Sequence, residues 1–232
     1  IKAGLNNDMH LMTDGVTRAY VDGNGKVGIG TSSPSQVLHI KDSSTNVYTR
    51  ITATTNTGID FGQEPNGNGL INLRDSAALR VFTSGTERMH IDASGHVTTP
   101  NQPMFSAHGG AEQSGDVKQV IEFTTAISNV GSHYNTSTYT FTAPVSGHYY
   151  FFFTVMAYAS ANSRCQFAKN GSLIADQFYT ESDEYAEYPR NCGSIIVQLS
   201  ANDTMRVDRN VNNSANELAH QNYRSFSGYL IG

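Results

Sequence analysis

Two segments in the C-terminal half of the chain concentrate side chains that are suited to ligand binding. Residues 176–190 combine tyrosines with acidic residues, and residues 210–223 are rich in asparagine. Tyrosine, asparagine and serine dominate adaptable binding surfaces, and a tyrosine ring stacks on a sugar while amides and carboxylates bond to its hydroxyl groups. The alternative is that both segments are ordinary solvated loops. The candidate binding residues are Tyr179, Asp183, Tyr185, Tyr188, His220 and Tyr223.

The chain lacks the residue patterns of the common catalytic sites. Asp183, Glu184 and Glu187 are close in sequence, but they fall in one predicted loop. A glycosidase needs two acids that flank the sugar from a rigid groove. Residues 23–30 are glycine-rich like a phosphate loop, yet the Gly-Lys-Ser/Thr ending is missing. The sequence therefore predicts a protein that is not an enzyme.

Two histidines are the first candidates for an ion site. His39 and His90 each precede an isoleucine in a predicted strand. In a trimer, three copies of one histidine on the threefold axis can bind an ion, and the favoured alternative is a histidine that faces solvent. No cofactor is predicted from these residues.

Composition favours an all-β protein. The chain has 232 residues, of which 38% are hydrophobic and 15% are charged. Its net charge is −5 and it has no cluster of Lys and Arg, which argues against nucleic-acid binding. No apolar run approaches the roughly 20 residues of a membrane helix, so membrane insertion is not expected. The start at Ile1 without a methionine suggests a fragment or a processed product.

One strand carries the strongest local signal. In residues 149–156, Tyr149, Phe151, Phe153 and Val155 alternate with a second set that is also mostly apolar. Since successive side chains point to opposite faces of a sheet, both faces of this strand are predicted to be covered. A neighbouring subunit is the simplest cover for the second face. The alternative is a loop of the same chain.

Eight residues around this strand follow a fixed spacing, F-x5-N-x4-Y-x6-F-x5-G-x-Y-x-F-x-F. The pattern resembles the globular head of complement component one-q, a trimeric jelly roll related to the tumour necrosis factor fold, and covers about residues 103–232. The resemblance implies a trimer but no particular ligand. The eight residues are Phe123, Asn129, Tyr134, Phe141, Gly147, Tyr149, Phe151 and Phe153. The predicted core and trimer residues are Phe123, Phe141, Tyr149, Phe151, Phe153, Phe226 and Tyr229.

Three further residues of this head bear on cofactors and redox state. Asp203 matches the family's strand–turn aspartate, in a region that approaches calcium in some relatives, although a plain turn aspartate is favoured. If the head binds an ion, calcium is the expected one. Cys165 and Cys192 fall in predicted strands and could face each other. Two free, partly buried thiols are favoured over a disulfide because two cysteines do not make a disulfide framework.

The first hundred residues contain an internal repeat with an offset of 70. Residues 13–30 and 83–100 share the pattern G-x-x-R-x-x-x-D-x-x-G-x-V, which predicts a strand, a tight glycine turn and a second strand. Between the copies, the pattern predicts strands at 37–40, 47–52, 58–61, 70–73 and 79–82. Blocks 21–34 and 83–92 resemble shaft repeats of bacteriophage tail fibres, and so thin a core is expected to intertwine with two other copies.

These observations predict an intertwined trimeric β shaft over residues 1–100 and a jelly-roll sandwich head over residues 101–232. The resemblances imply a viral tail-fibre adhesin whose homotrimeric head binds a host-surface glycan or protein receptor. Other tail-fibre or baseplate proteins are the expected partners, and the expected location is the virion, after assembly in the host cytoplasm. The alternatives are a structural trimerisation tip of a fibre and a secreted, complement-like binding protein of bacterial or eukaryotic origin.

Overall fold

The computed structural model describes residues 2–3, 7–42, 46–53, 57–113, 119–156, 163–174, 179–180, 190–209 and 223–232. Their regular structure consists of β-strands, and no α-helix occurs among these residues. The predicted all-β class is therefore confirmed. The weak helical tendency of residues 216–221 lies outside the described residues. Within the described part of the chain, no helix is long and apolar enough to cross a membrane.

The chain divides into two compact units, residues 1–81 with 90–98, and residues 82–89 with 99–232. The strands of the first hundred residues form three sheets, with the orders β1-β2-β3-β4-β5, β6-β7-β8 and β11-β10-β9. They overlap each strand that the sequence predicts there. These strands are β1 (Lys2–Ala3), β2 (Met9–Thr13), β3 (Val16–Val21), β4 (Val27–Ile29), β5 (Leu38–Ile40), β6 (Val47–Ile51), β7 (Ile59–Gln63), β8 (Gly69–Leu73), β9 (Leu79–Thr83), β10 (Thr86–Ile91) and β11 (Val97–Thr98).

The sequence repeat is a repeat in backbone conformation as well. The turn between β2 and β3 has left-handed φ values of 51° at Asp14 and 78° at Gly15. At the offset of 70, the turn between β9 and β10 has 50° at Ser84 and 73° at Gly85. Two consecutive positive φ values are the signature of the two-residue hairpin turn that matches the twist of antiparallel strands. The glycines supply the conformation that side chains disfavour.

The hydrogen bonds around these turns repeat too. Arg18 donates from Nε to Thr13 Oγ1 at 2.8 Å, and Arg88 donates to Thr83 Oγ1 at the same 2.8 Å. Each arginine thus ties the second strand of a hairpin to the end of the first. In the next turn of each copy, Asp22 Oδ1 accepts the amides of Asn24 and Lys26, and Asp92 Oδ1 accepts those of Ser94 and His96.

The first hundred residues have little core of their own. Among the described residues of this stretch, no large apolar side chain is buried. Leu11 is 54% exposed and its counterpart in the second copy, Val81, is 42% exposed. The buried side chain that stands out is Asp60, fully enclosed between Arg50 at 2.6 Å and Arg74 at 3.3 Å. These sheets therefore present apolar surface that one chain leaves uncovered.

The head is a sandwich of two sheets. One sheet has the order β14-β12-β23-β17-β21, and the other has the order β15-β16-β22-β18-β19, with β13 on β22 and β20 on β18. The predicted jelly-roll sandwich is confirmed. The strands are β12 (Met104–His108), β13 (Gln119–Val120), β14 (Thr125–Val130), β15 (Tyr134–Asn135), β16 (Thr140–Thr142), β17 (Gly147–Met156), β18 (Ser163–Lys169), β19 (Ser172–Leu173), β20 (Tyr179–Thr180), β21 (Arg190–Leu199), β22 (Thr204–Arg209) and β23 (Ser225–Leu230).

Aromatic rings fill the space between the two sheets. Phe105 packs face to face on Tyr134 at 4.6 Å and edge-on against Phe226 at 4.8 Å between ring centroids. Gly228 makes room for this packing, because a Cβ there would lie 2.3 Å from the ring of Phe151 and 3.0 Å from that of Phe105. Glycine in a strand often marks such a close approach. The rings cover the inner face of the first sheet.

The two ends of the sandwich differ in what they carry. At the base, Met104 pairs with Tyr229, and Gly147 pairs with Leu199. At the other end, the loop end, Met156 pairs with Arg190. His108 pairs with Ser225 and Cys165 pairs with Arg209 at this same end. The chain therefore enters the sandwich at the base, and both candidate binding segments connect to strand termini at the loop end.

Limited proteolysis is expected to cut near residues 100–103 and to release a folded head. The buried apolar cluster runs from Phe105 to Phe226, so residues from 104 onward carry a complete core. The cut is measured by mass spectrometry of the stable fragment, and its fold by circular dichroism. If the head fragment is unfolded while the shaft remains an intact trimer, the head is not the independent folding unit and this prediction is wrong.

Candidate functional site

The outer face of the first sheet of the head is built from rows of side chains that cross its strands. Because β17 pairs with both β21 and β23, Tyr150 lies beside Ile196 on one side and Tyr229 on the other. Tyr229 in turn lies beside Met104. We call these four residues the apolar row. Its two tyrosine rings are 5.5 Å apart.

The apolar row is exposed in a single chain. Ile196 is 63% exposed, Tyr229 is 48% exposed and Met104 is 45% exposed. Phe152, which follows on the same face of β17, is half-buried. Three large exposed apolar side chains in one row form a continuous patch, which is typical of a surface that another molecule covers. The second apolar face that the sequence predicts for this strand is thus present and open.

A cleft of about 330 Å³ lies at the loop end. Side chains from five chain segments line it. Three of these side chains, those of His108, Thr154 and Ser225, lie on the same outer face of the sheet as the apolar row, nearer the loop end. The remaining lining residues are Ile127, Arg190, Tyr223 and Arg224. The cleft therefore combines a phenol ring, an imidazole, two guanidinium groups, two hydroxyl side chains and one apolar side chain.

Arg224 is fixed in the wall of this cleft by the backbone opposite it. Its side chain is only 2% exposed; Nη2 donates to the carbonyl of Ala111, and Nη1 donates to Gln113 Oε1 at 3.2 Å. Gly110, at φ 122°, leaves the necessary room, because a Cβ there would lie 2.7 Å from Arg224 Nη2. Burial lowers the pKa of Arg224, while the charge of Glu122 acts in the opposite direction.

Gln113 connects Arg224 to a second buried arginine. Its carbonyl accepts Nη1 of Arg209, which is fully enclosed at the end of β22. Its side-chain amide donates to the carbonyl of Val120 at 2.8 Å and its Oε1 accepts the amide of Glu122 at 3.2 Å. This network was not predicted from the sequence. An isolated arginine beside a turn is usually solvated, so the sequence gives no sign that Arg224 is buried. The fold brings Arg224 to residues 111–113.

The structure describes two of the six candidate binding residues. Tyr179 opens β20 and pairs with Arg164 at the loop end of β18. Tyr223 is 52% exposed and lines the cleft. Both therefore lie at the loop end of the sandwich, on different sheets. Asp183, Tyr185, Tyr188 and His220 lie outside the described residues.

The predicted core and trimer residues separate into two groups by exposure. Tyr229 belongs to the open apolar row and is half-exposed. The other residues face the interior of the sandwich and are fully buried. They are Phe123, Phe141, Tyr149, Phe151, Phe153 and Phe226.

Asp203 serves a turn at the base of the head. Asn170 Nδ2 donates to its Oδ1 at 2.8 Å, while the Lys169 ammonium and the Ser200 amide contact its Oδ2 at 2.8 Å each. These donors lower the pKa of Asp203 to about 2. Both carboxylate oxygens already have donors, so the contacts match the plain turn aspartate rather than a calcium ligand.

The stability contribution of Asp203 is expected to depend on pH. Its folded-state pKa is about 2, below the value of about 3.9 for an unfolded aspartate. A lowered folded-state pKa stabilises the fold above about pH 4, and this contribution is lost as the pH falls toward 2. Asp203→Asn should therefore lower the Tm at pH 7 much more than at pH 2. Asp14→Asn, at an exposed turn of the first unit, is the control, and an equal Tm difference at both pH values would contradict this role.

His39, His90, Cys165 and Cys192 each lie on a different strand. His39 lies in β5, where its Nδ1 accepts the amide of Ser35 at 3.3 Å, and His90 lies in β10. Both are half-buried rather than fully solvent-facing. No group of three His, Cys, Asp or Glu side chains suited to a metal ion occurs among the described residues. Cys165 and Cys192 form no disulfide, as favoured, but Cys165 is fully buried and Cys192, on the outer face of β21, is exposed, so neither thiol is partly buried.

Known proteins with a similar sequence or fold match the head. The C1q domain family matches residues 104–231. The globular domain of zebrafish complement 1qA is 19% identical over 56% of this chain and 98% of its own, with a TM-score of 0.47. The Eiger TNF of S. frugiperda is 12% identical over 57% of this chain and 94% of its own, with a TM-score of 0.42. Murine APRIL is 11% identical over 56% of this chain and 99% of its own, with a TM-score of 0.44.

The family match begins at the first residue of β12 and ends just after β23, so it covers the whole sandwich that carries the apolar row and the cleft. The matched segment is more than half of the 232 residues. The chain belongs to the C1q domain family.

Proposed function

We propose that this chain is part of a viral tail fibre, in which a trimeric C1q-type head attaches the particle to a receptor on the host cell. Domains of this family are typically homotrimeric binding modules and are generally not enzymes. The observation that carries the proposal is the combination of such a head with duplicated hairpins whose apolar residues stay exposed in one chain. In a fibre made of three chains, neighbouring chains cover both the apolar row of the head and the exposed apolar residues of the hairpins.

The apolar row supports the trimeric head. Ile196, Tyr229 and Met104 project from the face of the sheet opposite the phenylalanine core, and each is at least 45% exposed. Burial of apolar surface contributes about 25 cal/mol per Å². A closed ring of three subunits covers this row in every copy and leaves no open end for further association.

The first hundred residues support the fibre. Each copy of the repeat is a hairpin with matching turn conformations and hydrogen bonds, which is a design suited to a repetitive shaft. Leu11 and Val81, at equivalent positions of the two copies, are both exposed. We infer that three chains intertwine here and that the proximal end joins other tail-fibre or baseplate proteins of the virion.

The loop end is the surface that we assign to receptor contact. The chain enters the head at the base, so the loop end is free of the connection to the preceding residues. Tyr179 and Tyr223 lie there, and the residues between strands that carry Asp183, Tyr185, Tyr188 and His220 connect to it. Tyrosine is enriched among the hot spots of binding surfaces, and three sites per trimer multiply weak single-site affinity through avidity.

Attachment is expected to be lost when the tyrosines of this end are removed. The purified chain should bind whole cells of the host and compete with phage infection. The triple variant Tyr179→Ala, Tyr185→Ala, Tyr188→Ala should reduce binding at least tenfold, because a hot-spot tyrosine typically contributes about 2 kcal/mol or more.

Val145→Asp, a change at an exposed residue away from the loop end, is the control for this experiment. It should leave binding to cells unchanged. Full adsorption by a folded triple tyrosine variant would remove these three residues from the receptor site. Absence of binding and competition on every tested host by the folded trimer would favour a purely structural tip.

A further inference from the structure

We propose that the loop-end cleft is an anion-binding subsite that takes the carboxylate of an acidic sugar. This inference rests on the proposed receptor binding and adds the chemical class of the ligand. It starts from Arg224, whose Nε has no hydrogen-bond partner among the described residues although the side chain is only 2% exposed. An enclosed guanidinium with an unused donor is costly unless a ligand satisfies it.

The contacts of Arg224 hold its positive charge without neutralising it. Its hydrogen-bond partners are the backbone carbonyl of Ala111 and the neutral side chain of Gln113. Glu122 is a described carboxylate whose charge acts on Arg224, but it is not among the hydrogen-bond partners of the guanidinium. Buried arginines are normally paired with an anion. A carboxylate in the cleft would provide a counter-charge bound directly to the guanidinium.

A second guanidinium strengthens this assignment. Arg190 begins β21 and lines the same cleft from the neighbouring strand. Arginine has a planar arrangement of donors that matches the two oxygens of a carboxylate. The neighbouring cleft of about 610 Å³ contains Glu112 and Glu122 instead and would repel an anion. The signs of these charges direct an anionic ligand to the loop-end cleft.

The remaining lining residues fit a sugar ring rather than a bare anion. Tyr223 offers an exposed aromatic ring to the CH face of a sugar. Ser225 and Thr154 lie side by side on β23 and β17 and contribute hydroxyl groups. Ligand sites of this kind combine an apolar surface with a few oriented polar groups. A hexuronic acid presents a carboxylate and several hydroxyls on one ring.

The experiment compares two sugars that differ only at C6. Saturation-transfer difference NMR is carried out on the full chain at pH 7 with methyl glucuronide, methyl glucoside and acetate. Methyl glucuronide is expected to bind with a Kd on the order of 1 mM, which corresponds to about 4 kcal/mol. It should bind at least tenfold more tightly than methyl glucoside or acetate. Equal affinity for both glycosides would overturn the assignment of a carboxylate. Equal affinity for methyl glucuronide and acetate would overturn the assignment of a sugar ring.

Variants of residues that are exposed or half-buried keep the test independent of folding. Arg190→Gln and Tyr223→Ala should each weaken methyl glucuronide binding about tenfold. Glu122→Gln should strengthen it severalfold, because the negative charge of Glu122 acts on Arg224. Lys41→Gln removes one positive charge from the first unit and should change nothing. Unchanged binding in both Arg190→Gln and Tyr223→Ala would overturn the site.

The outcome is separable from that of the proposed function. A chain that adsorbs to host cells but binds no methyl glucuronide would leave receptor binding intact and remove the cleft. A chain that binds methyl glucuronide in the cleft but adsorbs to no host cell would keep the cleft and remove the proposed role in attachment.

Discussion

The head fragment from residue 104 onward is expected to change from a trimer to a monomer when Ile196 is replaced by aspartate. Ile196 is 63% exposed in a single chain, so the change leaves the phenylalanine core untouched. In a trimer it places three carboxylates at the contacts between subunits, where burial of an unpaired charge is strongly unfavourable. Sedimentation at micromolar concentration should show the mass falling from three chains to one, with the circular dichroism of the fold retained.

Val145→Asp introduces the same charge at an apolar residue that is 47% exposed and lies outside the apolar row. This control fragment should remain trimeric. The unsubstituted full chain should sediment at about three times its mass of 25.2 kDa. A trimeric Ile196→Asp fragment would place the interface on another face of the sandwich. A monomeric wild-type head would remove the trimer itself.

Phe151→Ala is expected to lower the free energy of unfolding of the head by about 3–5 kcal/mol. The ring of Phe151 is fully buried and packs against Phe141 at 5.5 Å and Phe226 at 5.9 Å. Removing it leaves a cavity beside Gly228, which has no side chain to fill the space. This is a large share of the net stability, because domains are stable by only about 5–15 kcal/mol. Urea unfolding of the head fragment measures the loss.

Tyr223→Ala is the matched control, because it truncates an aromatic side chain that is 52% exposed. Its unfolding free energy should change by about 0.5 kcal/mol or less. A similar small effect of Phe151→Ala would mean that the two sheets do not depend on this ring for their packing.

Alternation along one strand made the head predictable from its sequence. Tyr149, Phe151 and Phe153 were expected on one face, and all three are buried in the core. The opposite face of that strand is apolar and open. Alternation with a period of two predicts which side chains share a face of the sheet, so the apolar character of this face was predictable too. The spacing of the aromatic residues also indicated the family, because each ring has a fixed position between the two sheets.

The cleft could not be predicted in the same way. Arg224 and Ala111 are far apart in sequence, and no periodicity connects a residue before the last strand to a loop after the first strand of the head. Tyr223 was selected for its residue type alone, without the neighbours that define the cleft. Contacts of high sequence separation depend on strand order, which hydrophobic patterns leave open.

The first hundred residues show the same division between local and distant features. The repeat and its turns were predictable, because Gly15 and Gly85 are required by the left-handed backbone at those positions. The enclosed Asp60 was not, since a single aspartate in a strand gives no signal that two arginines, one on β6 and one just after β8, will enclose it. Its place is defined by cross-strand register, where Arg50 lies opposite Asp60.

The matching hairpins have a consequence for how this protein can change length. Corresponding residues of the two copies are 70 positions apart and share turn conformation and hydrogen bonds. Unequal recombination between the two coding segments would therefore add or delete one whole module while preserving strand register at the junction. Because the aromatic core of the head begins only at Phe105, such an exchange would leave that core unaltered. The number of modules can thus change without any change in the core of the head.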